Sequence, residues 1–137
     1  MALKMVDQAL DVGLTARDPE KLVAFYRDFL GFPLSDERHF PAQGAHTWSF
    51  AVGVSGHLKV AGFDKVPAAA NPPGGNYSAT GIRYLALIVE DVHEAIVGVE
   101  DAGGRIQRPP TPYGTSLVAF IEDPEGNTIE LLQRNAS

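Results

Sequence analysis

Apolar and polar positions along this chain follow a pattern that repeats about 73 positions later. Ala9-Leu10-Asp11-Val12-Gly13-Leu14 and Tyr84-Leu85-Ala86-Leu87-Ile88-Val89 are short apolar runs that read as strands. Each leads into an amphipathic run. The first opens on Asp18-Pro19-Glu20 and closes at Leu30-Gly31-Phe32. Between those ends Leu22, Phe25, Tyr26 and Phe29 recur at helical spacing, which predicts core packing for their side chains. Asp18 suits the cap, Pro19 the first helical position and Gly31 a left-handed stop. The second run opens on Asp91-Val92-His93-Glu94, where Asp and Glu have the spacing of a capping box. Its stripe is Val92, Ala95, Ile96 and Val99, and it closes at Gly103-Gly104. Adding 73 takes Asp11 to Tyr84, Asp18 to Asp91 and Gly31 to Gly104. One offset shared by strand, helix start and helix stop predicts two copies of a single unit.

Alternating runs that follow each helix read as further strands. They are 33–36, 47–52 and 57–63 in the first copy, then 105–107, 117–122 and 128–133 in the second. Val54-Ser55-Gly56 joins two strands of the first copy. Asp123-Pro124-Glu125-Gly126-Asn127 does so in the second, with Pro and Gly placed for a tight turn. The Pro- and Gly-rich stretch 66–81 reads as a linker between module one, 9–65, and module two, 82–134. The expected fold is α+β: two paired βαβββ modules in one domain. Their sheets would form a curved, cup-shaped surface with the helices outside, and pockets favour such mouths.

Composition narrows the function classes. With 137 residues, 45% hydrophobic and 20% charged, the chain has the make-up of a globule. The net charge is −6 and the basic residues are scattered, which argues against nucleic acid as a partner. No apolar run approaches the roughly 20 residues of a membrane helix. Residues 1–8 show no secretory pattern, so the expectation is a cytoplasmic protein without a membrane partner. The absence of cysteine removes disulfides, thiolate metal ligands and a cysteine nucleophile.

Two stretches carry a resemblance. Asp18 with Phe25-Tyr26-Arg27-Asp28-Phe29-Leu30-Gly31-Phe32, and Asp123-Pro124-Glu125-Gly126-Asn127-Thr128-Ile129-Glu130-Leu131, resemble the vicinal oxygen chelate superfamily. That superfamily includes glyoxalase I, extradiol dioxygenases and the fosfomycin- and bleomycin-resistance proteins. The resemblance implies the paired-module fold and a homodimer, and leaves the reaction open among isomerases, dioxygenases, transferases and drug binders. Its metal-using members place a ligand on the first and the last strand of each module, usually His or Gln and then Glu. Carried over, those places are Asp11, Lys59, Tyr84 and Glu130, with His57 as the fallback should the Lys59 strand slip. Only Glu130 is the usual residue. Tyr84 is a poor ligand, and Lys59 offers donors and a positive charge where a cation should sit. The departure from the family's ligands therefore points to no metal and no cofactor here, with Lys59 standing in for the ion beside Asp11 and Glu130.

Three functional readings follow. The first is a metal-independent binder of an aromatic or polycyclic small molecule, akin to resistance or sequestration proteins. The second is an enzyme, an isomerase or lyase, in which Lys59, Glu130, Tyr84 and Asp11 perform acid–base chemistry on an oxygenated metabolite. The third is a metal enzyme of the glyoxalase or dioxygenase type. Trp48 and Phe50 alternate on one strand face and are either stacking walls for the ligand or core contacts. His57, Tyr113 and Phe120 are further ligand-contact candidates, Tyr113 as a rim residue. His39 and His46 read as solvated loop residues and His93 as a helix-surface residue.

Overall fold

The computed structural model describes residues 2–135. It divides into two compact units, one running to Ala68 and the other starting at Ala69. The first unit contains β1 (Asp11–Thr15), α1 (Pro19–Ala24), β2 (Leu34–Phe40), β3 (Ala45–Val52) and β4 (Gly56–Phe63). Its sheet has the order β1-β4-β3-β2, with β1 parallel to β4 and the other pairs antiparallel. The second unit contains β5 (Tyr84–Ile88), α2 (Val92–Ala95), β6 (Arg105–Tyr113), β7 (Ser116–Glu122) and β8 (Thr128–Gln133). Its sheet order, β5-β8-β7-β6, repeats the first with the same parallel and antiparallel pairs. The fold is the expected α+β, with two βαβββ modules.

In the first unit one sheet face is buried beneath the helix. Leu22, Phe25 and Tyr26 of the helical segment are at most 1% exposed. They cover Trp48, Phe50, Leu58 and Val60, which alternate inward along β3 and β4. The Tyr26 and Phe50 rings lie 6.3 Å apart. Hiding a side chain of that size from water stabilises the unit by roughly 1.5–3 kcal/mol. Gly62 permits the close approach of β4 to the helix start, because a Cβ there would stand 2.7 Å from Pro19 Cγ. The second unit buries Val92 and Val99 with Ala119, Ile121, Ile129 and Leu131 in the same way. Gln133 fixes the start of α2 by accepting from the Val92 N–H at 2.9 Å.

Helix starts behave as the sequence implies. Asp18 accepts from the Lys21 N–H, and Asp91 accepts from the His93 and Glu94 N–H groups. The bodies differ from expectation. After Ala24 the first helix widens into a π-turn over Phe25–Phe29 before Gly31 stops it at φ 77°. The second ends after one turn and continues as hydrogen-bonded turns to Gly104. Gly98, at φ 85°, breaks the α-helical path there.

Two edge strands are longer than their patterns suggested. β2 runs to Phe40 and is exposed along its whole length, so no apolar alternation announces it. β6 runs through Pro109, Pro110 and Pro112, which lack N–H donors and are accommodated at an edge with two register shifts. His39 and His46 accordingly lie on β2 and β3 and not in a loop. His93 is exposed on α2, as its spacing implied. Among the described residues no helix is long and apolar enough to cross a membrane.

Candidate functional site

The sheet face opposite α1 in the first unit is polar. β1 pairs with β4 so that Asp11 stands beside His57 and Gly13 beside Lys59. In the second unit Tyr84 stands beside Thr128 and Ala86 beside Glu130. Gly13 and Ala86 are equivalent under the 73-residue offset, so Lys59 and Glu130 occupy the same place in their sheets. The separation between those two is 71, because the modules differ in loop length while the strand register is kept. Lys59 is therefore the register match to Glu130, and His57 is its neighbour on the same face.

The Asp11 carboxylate is fully engaged. Oδ1 accepts from the His57 backbone N–H at 3.0 Å and from its ring Nδ1 at 3.2 Å. Oδ2 faces Lys59 Nζ at 3.4 Å. The hydrogen bond from His57 holds the Asp11 carboxyl below its ordinary range; desolvation opposes this, and Lys59 lowers it further. All three side chains are 40–48% exposed, so water screens them. The three side chains thus form a solvated cluster and not a buried, dry ion network. A cavity of about 420 Å³ lies over this face, lined also by Asp36, Arg38, Phe40, Thr47 and Ser49. Arg38 Nε sits 2.6 Å from an Asp36 oxygen.

The second unit's equivalent face has a different character. Phe120 pairs with Glu130 across β7 and β8, and its ring meets the edge of Tyr84 at 6.4 Å. Among the described residues the Glu130 carboxylate has no ion-pair partner. Arg108 pairs with Phe120 from β6. Its guanidinium donates to the Tyr113 hydroxyl at 2.9 Å and lies 5.4 Å from the centre of that ring. Arg105, Gln107, Arg108, Asn76, Tyr77 and Phe120 line a cavity of about 350 Å³.

Several expected site residues fall elsewhere. Trp48 and Phe50 lie on the α1 side of the first sheet, 8% and 0% exposed, and are core contacts instead of ligand walls. The reason is register: they pair with Val60 and Leu58, which face the helix, whereas Ser49 pairs with Lys59. Among the described residues Phe40 brings the one phenyl ring to the lining of the first unit's polar cavity. Asp36 and Arg38 are hidden because β2 carries no apolar alternation, and Ser49 because a serine between Trp48 and Phe50 on β3 carries no signal of its own. Gln107 and Arg108 were hidden among the prolines of β6.

Two duplicated mixed sheets, each with a helix on one face and chemistry on the other, define the class. The model of the Glyoxalase/Bleomycin resistance protein/Dioxygenase superfamily matches residues 8–131, and the chain belongs to that superfamily. It is 33% identical over 122 residues to a protein of Synechocystis sp. described as a probable lactoylglutathione lyase. That match covers 87% of this chain and 89% of the relative. A glyoxalase family protein from Bacillus cereus has the same fold, with a TM-score of 0.81 at 14% identity over 96% of each chain. Glyoxalase I from Zea mays gives a TM-score of 0.76 at 23% identity. This chain, matched over 93% of its length, spans 44% of the maize one.

The residues at the positions used for metal in the superfamily fit a divalent ion poorly. Both Asp11 oxygens already accept hydrogen bonds or face an ammonium, Lys59 has no lone pair to give when charged, and Tyr84 carries a neutral phenol. Among the described residues no three His, Asp or Glu side chains are grouped closely enough to hold an ion as they stand.

Proposed function

We propose that this chain binds a small oxygenated organic molecule without a divalent ion, Lys59 supplying the positive charge at the floor of the site. The observation that carries the reading is the position of Lys59, equivalent to Glu130 in the strand register, with its ammonium on the Asp11 carboxylate. The first unit's face offers carboxylate, imidazole, ammonium and hydroxyl groups to polar ligand atoms. Phe40 supplies the aromatic contact of the cavity over that face, so a single-ring ligand suits its lining better than a polycyclic one. The test is native mass spectrometry and metal analysis of protein purified without chelator. A co-purifying organic mass, and weaker binding of it by Lys59→Met, are the expected results. Stoichiometric Zn, Fe, Mn or Ni that is lost in Glu130→Gln would overturn the reading.

A second reading, acid–base catalysis by an isomerase or lyase, is favoured by the Asp11–His57 pair. An ionised Asp11 accepts from Nδ1–H and so leaves Nε2 of a neutral His57 able to take a proton. Similarity to a relative described as a probable lactoylglutathione lyase points the same way. Incubation with lactoylglutathione, followed through its thioester absorbance, separates catalysis from reversible binding. Turnover that His57→Ala abolishes supports the enzyme. We also propose a homodimer, which light scattering at micromolar concentration tests: a mass near that of one chain rejects it.

A further inference from the structure

On the α1 side of the first sheet, Glu37 and His39 stand two residues apart on β2, and His46 lies directly opposite His39 on β3. The two imidazole rings are 5.4 Å apart, centre to centre. His46 is stacked on Trp48 at 4.0 Å and 18°, and its Nε2 lies 2.9 Å from a Glu37 oxygen. The rings border a cavity of about 430 Å³ whose rim also holds Asp18, Glu20 and Asp64.

We propose that His39 and His46 form a binding site for a late first-row divalent ion, Cu²⁺ in preference to Ni²⁺ or Zn²⁺. Imidazole nitrogen suits these ions, and the order of preference follows their general affinity for such ligands. Two imidazoles in adjacent positions on one ion at roughly 2.0–2.1 Å have ring centres about 4.5 Å apart in the tetragonal geometry that Cu²⁺ favours and about 5 Å apart in a tetrahedral one, so a small turn of one ring closes the gap from the separation seen. Glu37 fixes the chemistry of His46. A carboxylate beside Nε2 keeps the proton there and leaves the Nδ1 lone pair for the ion, the usual relation between a metal-binding imidazole and its outer carboxylate. The carboxylates of the rim favour a cation. The one basic residue of the lining, Arg17, donates its guanidinium to the Ala68 carbonyl. The side chains do not yet enclose an ion; the His39 ring must turn about its outer torsion, which is soft. Water completes the coordination. The site is independent of the Asp11–Lys59 face and of the function proposed for it.

The chain's one tryptophan is a built-in reporter, because it stacks on a proposed ligand. Titration of the intact protein with Cu²⁺ should quench Trp48 fluorescence saturably, with native mass spectrometry counting one ion per chain. His39→Ala and His39→Gln leave the His46–Trp48 stack in place. Each should weaken the midpoint about tenfold or more, the loss that follows removal of even an outer partner of a metal ligand. His46→Ala, checked for native circular dichroism, should do the same, and His57→Ala should leave the midpoint where it was. An unchanged midpoint in both His39 variants, quenching that never saturates, or loss of binding in His57→Ala would each overturn the proposal.

Discussion

The two modules share a register but not a chemistry. At equivalent sheet positions the first carries Lys59 and the second Glu130. At the preceding position on the first strand stand Asp11 and Tyr84. The first face is internally neutralised, with ammonium, imidazole and carboxylate in contact. The second leaves its carboxylate unpaired beside aromatic rings. What the modules retain is the helix-facing half of each strand, where Phe50 and Ile121, or Leu58 and Ile129, hold the same places. Packing constrains those positions, since an interior close to crystal density registers a change of one methylene. Half-exposed positions on the opposite face are free to change sign.

That contrast is most exposed to test in the core. Phe50→Ala should destabilise the protein by about 3–5 kcal/mol and Ile121→Ala by about 2–5 kcal/mol. Urea denaturation measures both, and a loss below about 1 kcal/mol at either position would break the equivalence. The hairpin turns differ next. Asp123 is 3% exposed and accepts from the backbone N–H groups of Glu125 and Asn127, as well as from the Asn127 amide. Its replacement by alanine should cost about 1–3 kcal/mol for each donor left buried and unpaired. Val54, wholly exposed at the corresponding tip of the first module, should change stability by less than about 0.5 kcal/mol on mutation to alanine.

A charge exchange sharpens the comparison further. Lys59→Glu puts a second carboxylate beside Asp11 and His57. In a His39→Ala background it should raise Ni²⁺ affinity at least about tenfold, or about 1.4 kcal/mol, by calorimetry. No gain would mean that the first face lacks ligand geometry and not merely the right charge. The smallest effect concerns protons. Asp11 has a lowered folded pKa against an ordinary 3.8, so its ionised form favours the fold above that value. The benefit fades as pH falls through the lowered folded pKa, and it vanishes in Asp11→Asn. Carboxyl NMR should show Asp11 titrating below 3.8, and His57→Ala should raise it more than Lys59→Met does.

Much of this was legible in the sequence, for reasons that particular residues show. Asp18, Gly31 and Asp91 mark helix ends because caps and left-handed stops are local chemistry, whereas Gly103 closes only the turns that follow α2. The identity of the Lys59 position was readable because Leu58-Lys59-Val60 alternates as Ile129-Glu130-Leu131 does, although only the ladder fixed it against His57. Which side of the sheet Trp48 and Phe50 occupy was not readable. An alternating strand tells which residues share a face but not which face the helix covers. β2 and β6 were cut short because an exposed edge needs no apolar stripe and can carry proline. The π-turn and the break at Gly98 depend on tertiary packing that propensity alone does not weigh.

The bare tip at Val54 has a practical consequence. The ladder that pairs Val52 with Gly56 is closed by three residues, Gly53, Val54 and Ser55. Val54 projects wholly into solvent there. An inserted tag would therefore meet little resistance there. The corresponding bend around Asp123 would not accept one, since its hydrogen bonds are spoken for. A fluorescent domain would best be grafted at residue 54.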